Sequence, residues 1–185
     1  FIFIGASLLL YYYSKKLKSK PLIGNLIVSF LIAFSILLLY LFDINNASQN
    51  NTQQLIITII LILAFFAFFI NLTREIIKDI IDVKGDYQLK MNTLPILIGT
   101  DRAKKIALIS CIIPISLLLY LIVNYASIYK FTILYLLVFV LIPLLYVALK
   151  LRSAKSIKEF KKLSLLLKII MFLGINALIL FSINS

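Results

Sequence analysis

The sequence predicts an all-α protein, a polytopic bundle of transmembrane helices, and three observations carry the prediction. Of its 185 residues, 63% are hydrophobic and 14% charged, against roughly 25% charged in soluble domains. Apolar runs of about 20 residues, the length that crosses a bilayer, alternate with short polar stretches. The basic residues collect on every second polar stretch, the pattern of loops retained in the cytoplasm.

Residues 1–13 form an apolar run too short to span a bilayer. It opens on Phe1, with no basic leader and no cleavage signal, so the chain reads as an N-terminally truncated single transmembrane domain over 1–185. Tyr11, Tyr12 and Tyr13 close this run where an aromatic belt belongs. Complete spans are expected at 22–42, 55–72, 106–123, 131–149 and 165–183. Asn25, beside Gly24 at the start of its span, is a polar residue that caps the helix or faces an interior, because lipid would leave its amide without partners.

Loop 14–21 holds Lys15, Lys16, Lys18 and Lys20. Stretch 73–105 holds seven further basic residues, segment 150–168 another seven, and the intervening connections only Lys130, so 18 of the 19 Lys and Arg lie on one side. That side is assigned to the cytoplasm. Basic loops against anionic headgroups account for the net charge of +12 without a nucleic-acid partner.

The sequence contains no histidine, which excludes a Ser/His/Asp triad, a Cys/His dyad and imidazole-ligated metals. The single cysteine, Cys111, lies in an apolar run and reads as a small packing residue. Any chemistry must use carboxylates, Lys, Arg, Tyr and bound ions.

Glu75, Asp79, Asp82 and Asp86 follow directly on the apolar run that ends near Leu72. At about 100° per residue these positions return to within roughly 60° of one another on a continuous helix. Stacked like charges repel. Lys78 borders the face and Lys84 points away from it, which leaves a divalent cation as the economical partner. Gly85 is a candidate helix end that would displace Asp86 from the common face.

The run Arg74-Glu75-Ile76-Ile77-Lys78-Asp79-Ile80-Ile81-Asp82-Val83-Lys84-Gly85-Asp86, followed by Thr93-Leu94-Pro95 and Gly99, resembles the second aspartate-rich motif of the UbiA-type intramembrane prenyltransferases. The basic loop Tyr13 to Lys18 with Pro21-Leu22-Ile23-Gly24-Asn25 is similar to the step between that family's fourth and fifth helices. The resemblance implies that about six of nine helices are present, and that the first aspartate-rich motif is absent from this stretch of chain. It implies a Mg2+-dependent enzyme that transfers a polyprenyl group from its diphosphate to a lipid or aromatic acceptor. The motif is most similar to the branch that alkylates geranylgeranylglycerol phosphate, and quinone precursors are the other acceptor class. Asp79, Asp82 and Asp86 are then the metal ligands and catalytic acids. Lys16, Lys18 and Arg74 grip the diphosphate, and Glu75 and Asn25 are supporting residues.

A competing reading is a noncatalytic polytopic membrane protein, a transporter or assembly subunit whose acidic loop binds a cation. Transporters place ionisable groups near the middle of their spans. The middles of the spans here carry no Asp, Glu, Lys or Arg, which favours chemistry at the membrane surface.

Overall fold

The computed structural model describes residues 20–43 and 51–184, with Gly5, Tyr11 and Leu17 besides. Every long element in them is a helix and none is a strand, as hydrocarbon demands of a chain that must satisfy its own backbone groups. The order is α1 (Ile23–Asp43), α2 (Asn51–Gln88), α3 (Leu94–Ile98), α4 (Thr100–Tyr125), α5 (Lys130–Leu136), a π-helical turn (Leu137–Leu141), α6 (Ile142–Ser153) and α7 (Ile157–Asn184). Four of these segments, Gln54–Gln88, Thr100–Tyr125, Lys130–Ser153 and Ile157–Phe181, are long and apolar enough to cross a membrane. The 21 residues of α1 form a fifth apolar helix. The partial run 1–13 and the loop that carries Lys16 and Lys18 lie outside the described residues, apart from single positions.

The helices run further than the apolar spans. Charged side chains at a helix end do not interrupt the backbone ladder, so α2 continues 16 residues beyond Leu72, α4 starts at Thr100 and α7 at Ile157. The expected basic loop 150–168 is therefore mostly two helix ends joined by a three-residue turn. Ser156 and Glu159 form a reciprocal cap on α7. The Ser156 backbone N–H donates to Glu159 Oε2 at 3.0 Å, and the Glu159 N–H donates to Ser156 Oγ at 3.3 Å. The backbone N–H groups of Ser156 and Lys155, each 3.0 Å from Glu159 Oε2, with the Lys150 ammonium at 3.2 Å, hold the half-exposed Glu159 carboxyl down at about 2.

Gly85 does not end α2. The helix passes through it and closes on Lys90, whose φ of 54° lies in the left-handed region. The Met91 N–H donates to Asp86 O at 2.9 Å and the Lys90 N–H to Tyr87 O at 3.1 Å, the paired bonds of a Schellman ending. Asp86 consequently stays in the helix with the other acids. Gly99 separates α3 from α4 at φ 86° and ψ 153°, a conformation that glycine alone adopts without strain. Pro143, at the start of α6, has no N–H to give the preceding turn, and the π segment lies directly before it.

Helix α2 is the centre of the bundle, with α1 on one side and α4 and α7 on others. Its Ile70, Ile76 and Ile77 are fully buried with Ala103, Ala107 and Cys111 of α4, Leu144, Val147 and Leu151 of α6, and Leu167 and Ile170 of α7. Ala103, Ala107 and Cys111 recur every fourth residue, and such a small-residue stripe lets two backbones approach closely. Cys111 is packing, as its surroundings predict.

Polar contacts gather the charged helix ends at one end of the bundle. Asn25 of α1 meets Asp79 of α2, Lys104 of α4 donates to the Ala154 carbonyl in the α6–α7 turn, and Lys150 pairs with Glu159.

Candidate functional site

The site begins where α1 starts and α2 leaves the apolar zone. Asp79 stands seven residues past Leu72, about 10 Å further along the axis at 1.5 Å per residue, and so lies outside the span. Asn25 is buried at 8% exposure, and its Nδ2 donates to Asp79 Oδ2 at 2.7 Å. The amide is neither exposed to lipid nor used as a cap. It is braced from behind: the Ser29 hydroxyl donates to the Asn25 carbonyl at 2.6 Å and accepts from Asn71 Nδ2 at 3.3 Å. This line of buried polar groups fastens α1 to α2 and fixes the angle at which the amide reaches Asp79.

Ser29 and Asn71 are missing from the sequence-derived site. The available signal was their polarity within apolar runs and the four-residue step from Asn25 to Ser29, which puts both on one helical face. A second buried pair, Thr73 and Ser110 with their hydroxyls 2.8 Å apart, joins α2 to α4 on another side.

Glu75 is engaged away from Asp79. Its Oε1 accepts from Arg74 at 3.1 Å and from Lys78 at 2.9 Å, so Arg74 and Lys78 stand as a cationic pair beside the acids. Arg74 is half-buried, and its Nε lies buried without a partner among the described residues, as does the hydroxyl of Thr93. Asp82 is exposed and Asp86 half-exposed. Lys16 and Lys18 lie outside the described residues.

Burial pushes the Asp79 carboxyl up to about 6. The Asn25 hydrogen bond opposes the rise, and the negative charges of Asp86, Glu75 and Asp82 add to it. Asp79 therefore feels the rest of the acid row, as the shared face requires.

Hard carboxylate oxygens are the donors that a divalent cation such as Mg2+ takes, so the chemistry of the set fits. Among the described residues, however, no three acidic side chains converge on a single ion. The row suits a cation that is shared with a second oxygen-rich ligand.

Comparison with known proteins bears on this arrangement. The family model described as the UbiA prenyltransferase family matches residues 1–175. The digeranylgeranylglyceryl phosphate synthase of Methanosphaera stadtmanae is 33% identical over 183 residues, covering 92% of this chain and 60% of that protein. The proteins of the same name from Methanobrevibacter smithii and Thermococcus sibiricus are 42% and 40% identical over 118 and 110 residues. Those matches cover 64% and 59% of this chain and 36% of each relative. The chain thus spans between about a third and 60% of the length of these relatives. No solved structure matches it.

Proposed function

The chain belongs to the UbiA prenyltransferase family, and we propose that it transfers a geranylgeranyl group from its diphosphate to geranylgeranylglycerol phosphate, within the membrane and at its cytoplasmic face. The observation that carries the proposal is the acid row of α2, with Asp79 oriented by a buried amide at the end of the bundle where the basic residues gather. The names of the relatives support the acceptor class.

Asp79, Asp82 and Asp86 are the residues that would hold Mg2+. When bound, the cation neutralises charge that develops on the diphosphate as the allylic carbon departs. The chain's own residues do the rest. Asn25 holds Asp79 through Oδ2, and Oδ1 would be the oxygen available to the cation. Glu75 takes no part in the metal set and instead holds Arg74 and Lys78 beside the row, where their charges meet phosphate oxygens. Lys16 and Lys18, in the sequence before α1, are the further basic residues that would bind the same phosphates. The apolar faces below the row hold the isoprenoid tail in hydrocarbon while its head reacts at the surface.

The test is transfer of label from geranylgeranyl diphosphate by membranes that contain the full chain, with geranylgeranylglycerol phosphate or an aromatic quinone precursor as acceptor. Labelled lipid is expected with the first acceptor only, and its formation should stop on chelation of divalent cations. Product with the aromatic acceptor alone would overturn the acceptor assignment. An Asp79→Asn protein that keeps wild-type transfer would overturn the site.

A further inference from the structure

Far from the acids, the bundle contains a cavity of about 400 Å3 between α2, α4, α5, the π turn and α7. Its closed end is walled by Phe66, Leu118, Val140, Gly174 and Ala177, all buried. At the other end Leu55, Tyr125 and Ile128, which are 50%, 41% and 64% exposed, form the mouth. The most exposed lining residues thus lie at the end of the bundle remote from Asp79, and the buried ones towards its middle. Gly174 keeps the closed end open, since a Cβ there would stand 3.3 Å from the Phe66 ring.

Two facts separate this cavity from the acid site. Phe66 lies 13 residues before Asp79, about 20 Å along the axis at 1.5 Å per residue. Its α2 wall also lies on the far side of the helix: at about 100° per residue, the lining positions average roughly 160° from the acid row. Among the described residues, none of α1, which packs beside Asp79, lines it. An isoprenoid tail whose diphosphate sits at Asp79 would have to wrap round α2 to reach it.

Apart from Thr58, whose hydroxyl donates to the Gln54 carbonyl, and Thr132, the walls are aliphatic and aromatic in a segment of membrane-crossing helices, and the mouth carries Tyr125 and Tyr129 where an aromatic belt meets headgroups. Water gains few partners on such walls, whereas a hydrocarbon chain restores the dispersion contacts that an open volume forfeits. We propose that this cavity is a lipid site that takes one long apolar chain of a bilayer lipid, inserted from the leaflet opposite the acids. It is distinct from the donor site. The inserted chain completes the core behind α2, the helix that carries the acid row.

This chain contains no tryptophan, so a single introduced indole reports its surroundings without background. Phe66→Trp places it at the closed end, and Phe160→Trp places it in the equally buried core that does not line the cavity. The full chain is reconstituted in phosphatidylcholine vesicles with acyl chains brominated or not, and melting temperatures confirm that each variant folds. Brominated lipid is expected to remove most of the Phe66→Trp emission and little of the Phe160→Trp emission. Leu118→Trp, on the same wall, serves if Phe66→Trp does not fold. Equal quenching at the wall and the control position would overturn the proposal, as would none at the wall. Addition of geranylgeranyl diphosphate should leave the quenching unchanged. Recovery of emission would assign the cavity to the donor's tail and overturn a separate lipid site.

Discussion

At the scale of single residues, Asp79 carries opposing demands. As the ionised ligand it must lose its proton, yet burial and its acidic neighbours hold that proton up to about 6. A carboxyl whose folded value is raised contributes stability that is fully present below the ordinary range near 4 and is lost as pH rises through about 6. In chelator, Asp79→Asn is therefore expected to melt higher than the wild-type chain at pH 8 and with little difference at pH 4, while with divalent cation present its transfer activity is lost. A lower melting temperature at pH 8 would contradict this account of the site's electrostatics. The same proton competes with the cation, so Mn2+ affinity measured by electron paramagnetic resonance should fall progressively below pH 6. Asn25 donates directly to Asp79. Asn25→Ala is expected to weaken Mn2+ binding by about 10- to 100-fold, the usual effect of removing a partner that orients a ligand. Unchanged affinity would leave Asn25 with only a helix-joining role.

At the scale of elements, the working feature is that α2 does not stop at the membrane surface. A 38-residue helix carries the chain from one end of the bundle to the acid row and past it, so the spacing of the acids is set by a rigid rod. Its end rests on Lys90 in the left-handed region, a conformation that costs a residue with a Cβ roughly 1–2 kcal/mol relative to glycine. Lys90→Gly is expected to stabilise the chain by about 1 kcal/mol or less once the extra freedom of glycine in the unfolded chain is counted, read as a higher melting temperature. A fall would show that the Lys90 side chain holds the turn. The start of α7 rests on its cap, and Ser156→Ala should lower stability by ~1 kcal/mol. No loss would mean that packing of Phe160 and Leu163, both buried, already fixes that end.

At the scale of the whole molecule, the chain is a membrane-spanning bundle with 18 of its 19 basic residues collected on one side, the side proposed above to be cytoplasmic. A reporter fused after Ser185 is expected to signal the non-cytoplasmic side, and a cytoplasmic signal would invert the topology. By itself the sequence determined the class, the spans and the acid row, because hydropathy over about 20 residues and a period of 3.6 are local properties of the chain. The family was legible for the same reason: its motif lies in one continuous stretch, 74 to 99. Helix ends were less legible. Gly85 is a helix-ending residue by propensity, yet Tyr87, Gln88 and the Lys90 closure continue the ladder beyond it. Only the tertiary structure decided that Asn25, 54 positions away, meets Asp79, whereas the pairing of Glu75 with Arg74 and Lys78 is made within three positions on one helix. The tertiary structure alone put an apolar cavity behind the helix that carries the acids. Contacts between distant helices depend on how their faces pack, and no local pattern in a chain this uniformly apolar distinguishes a face that meets another helix from one that meets lipid.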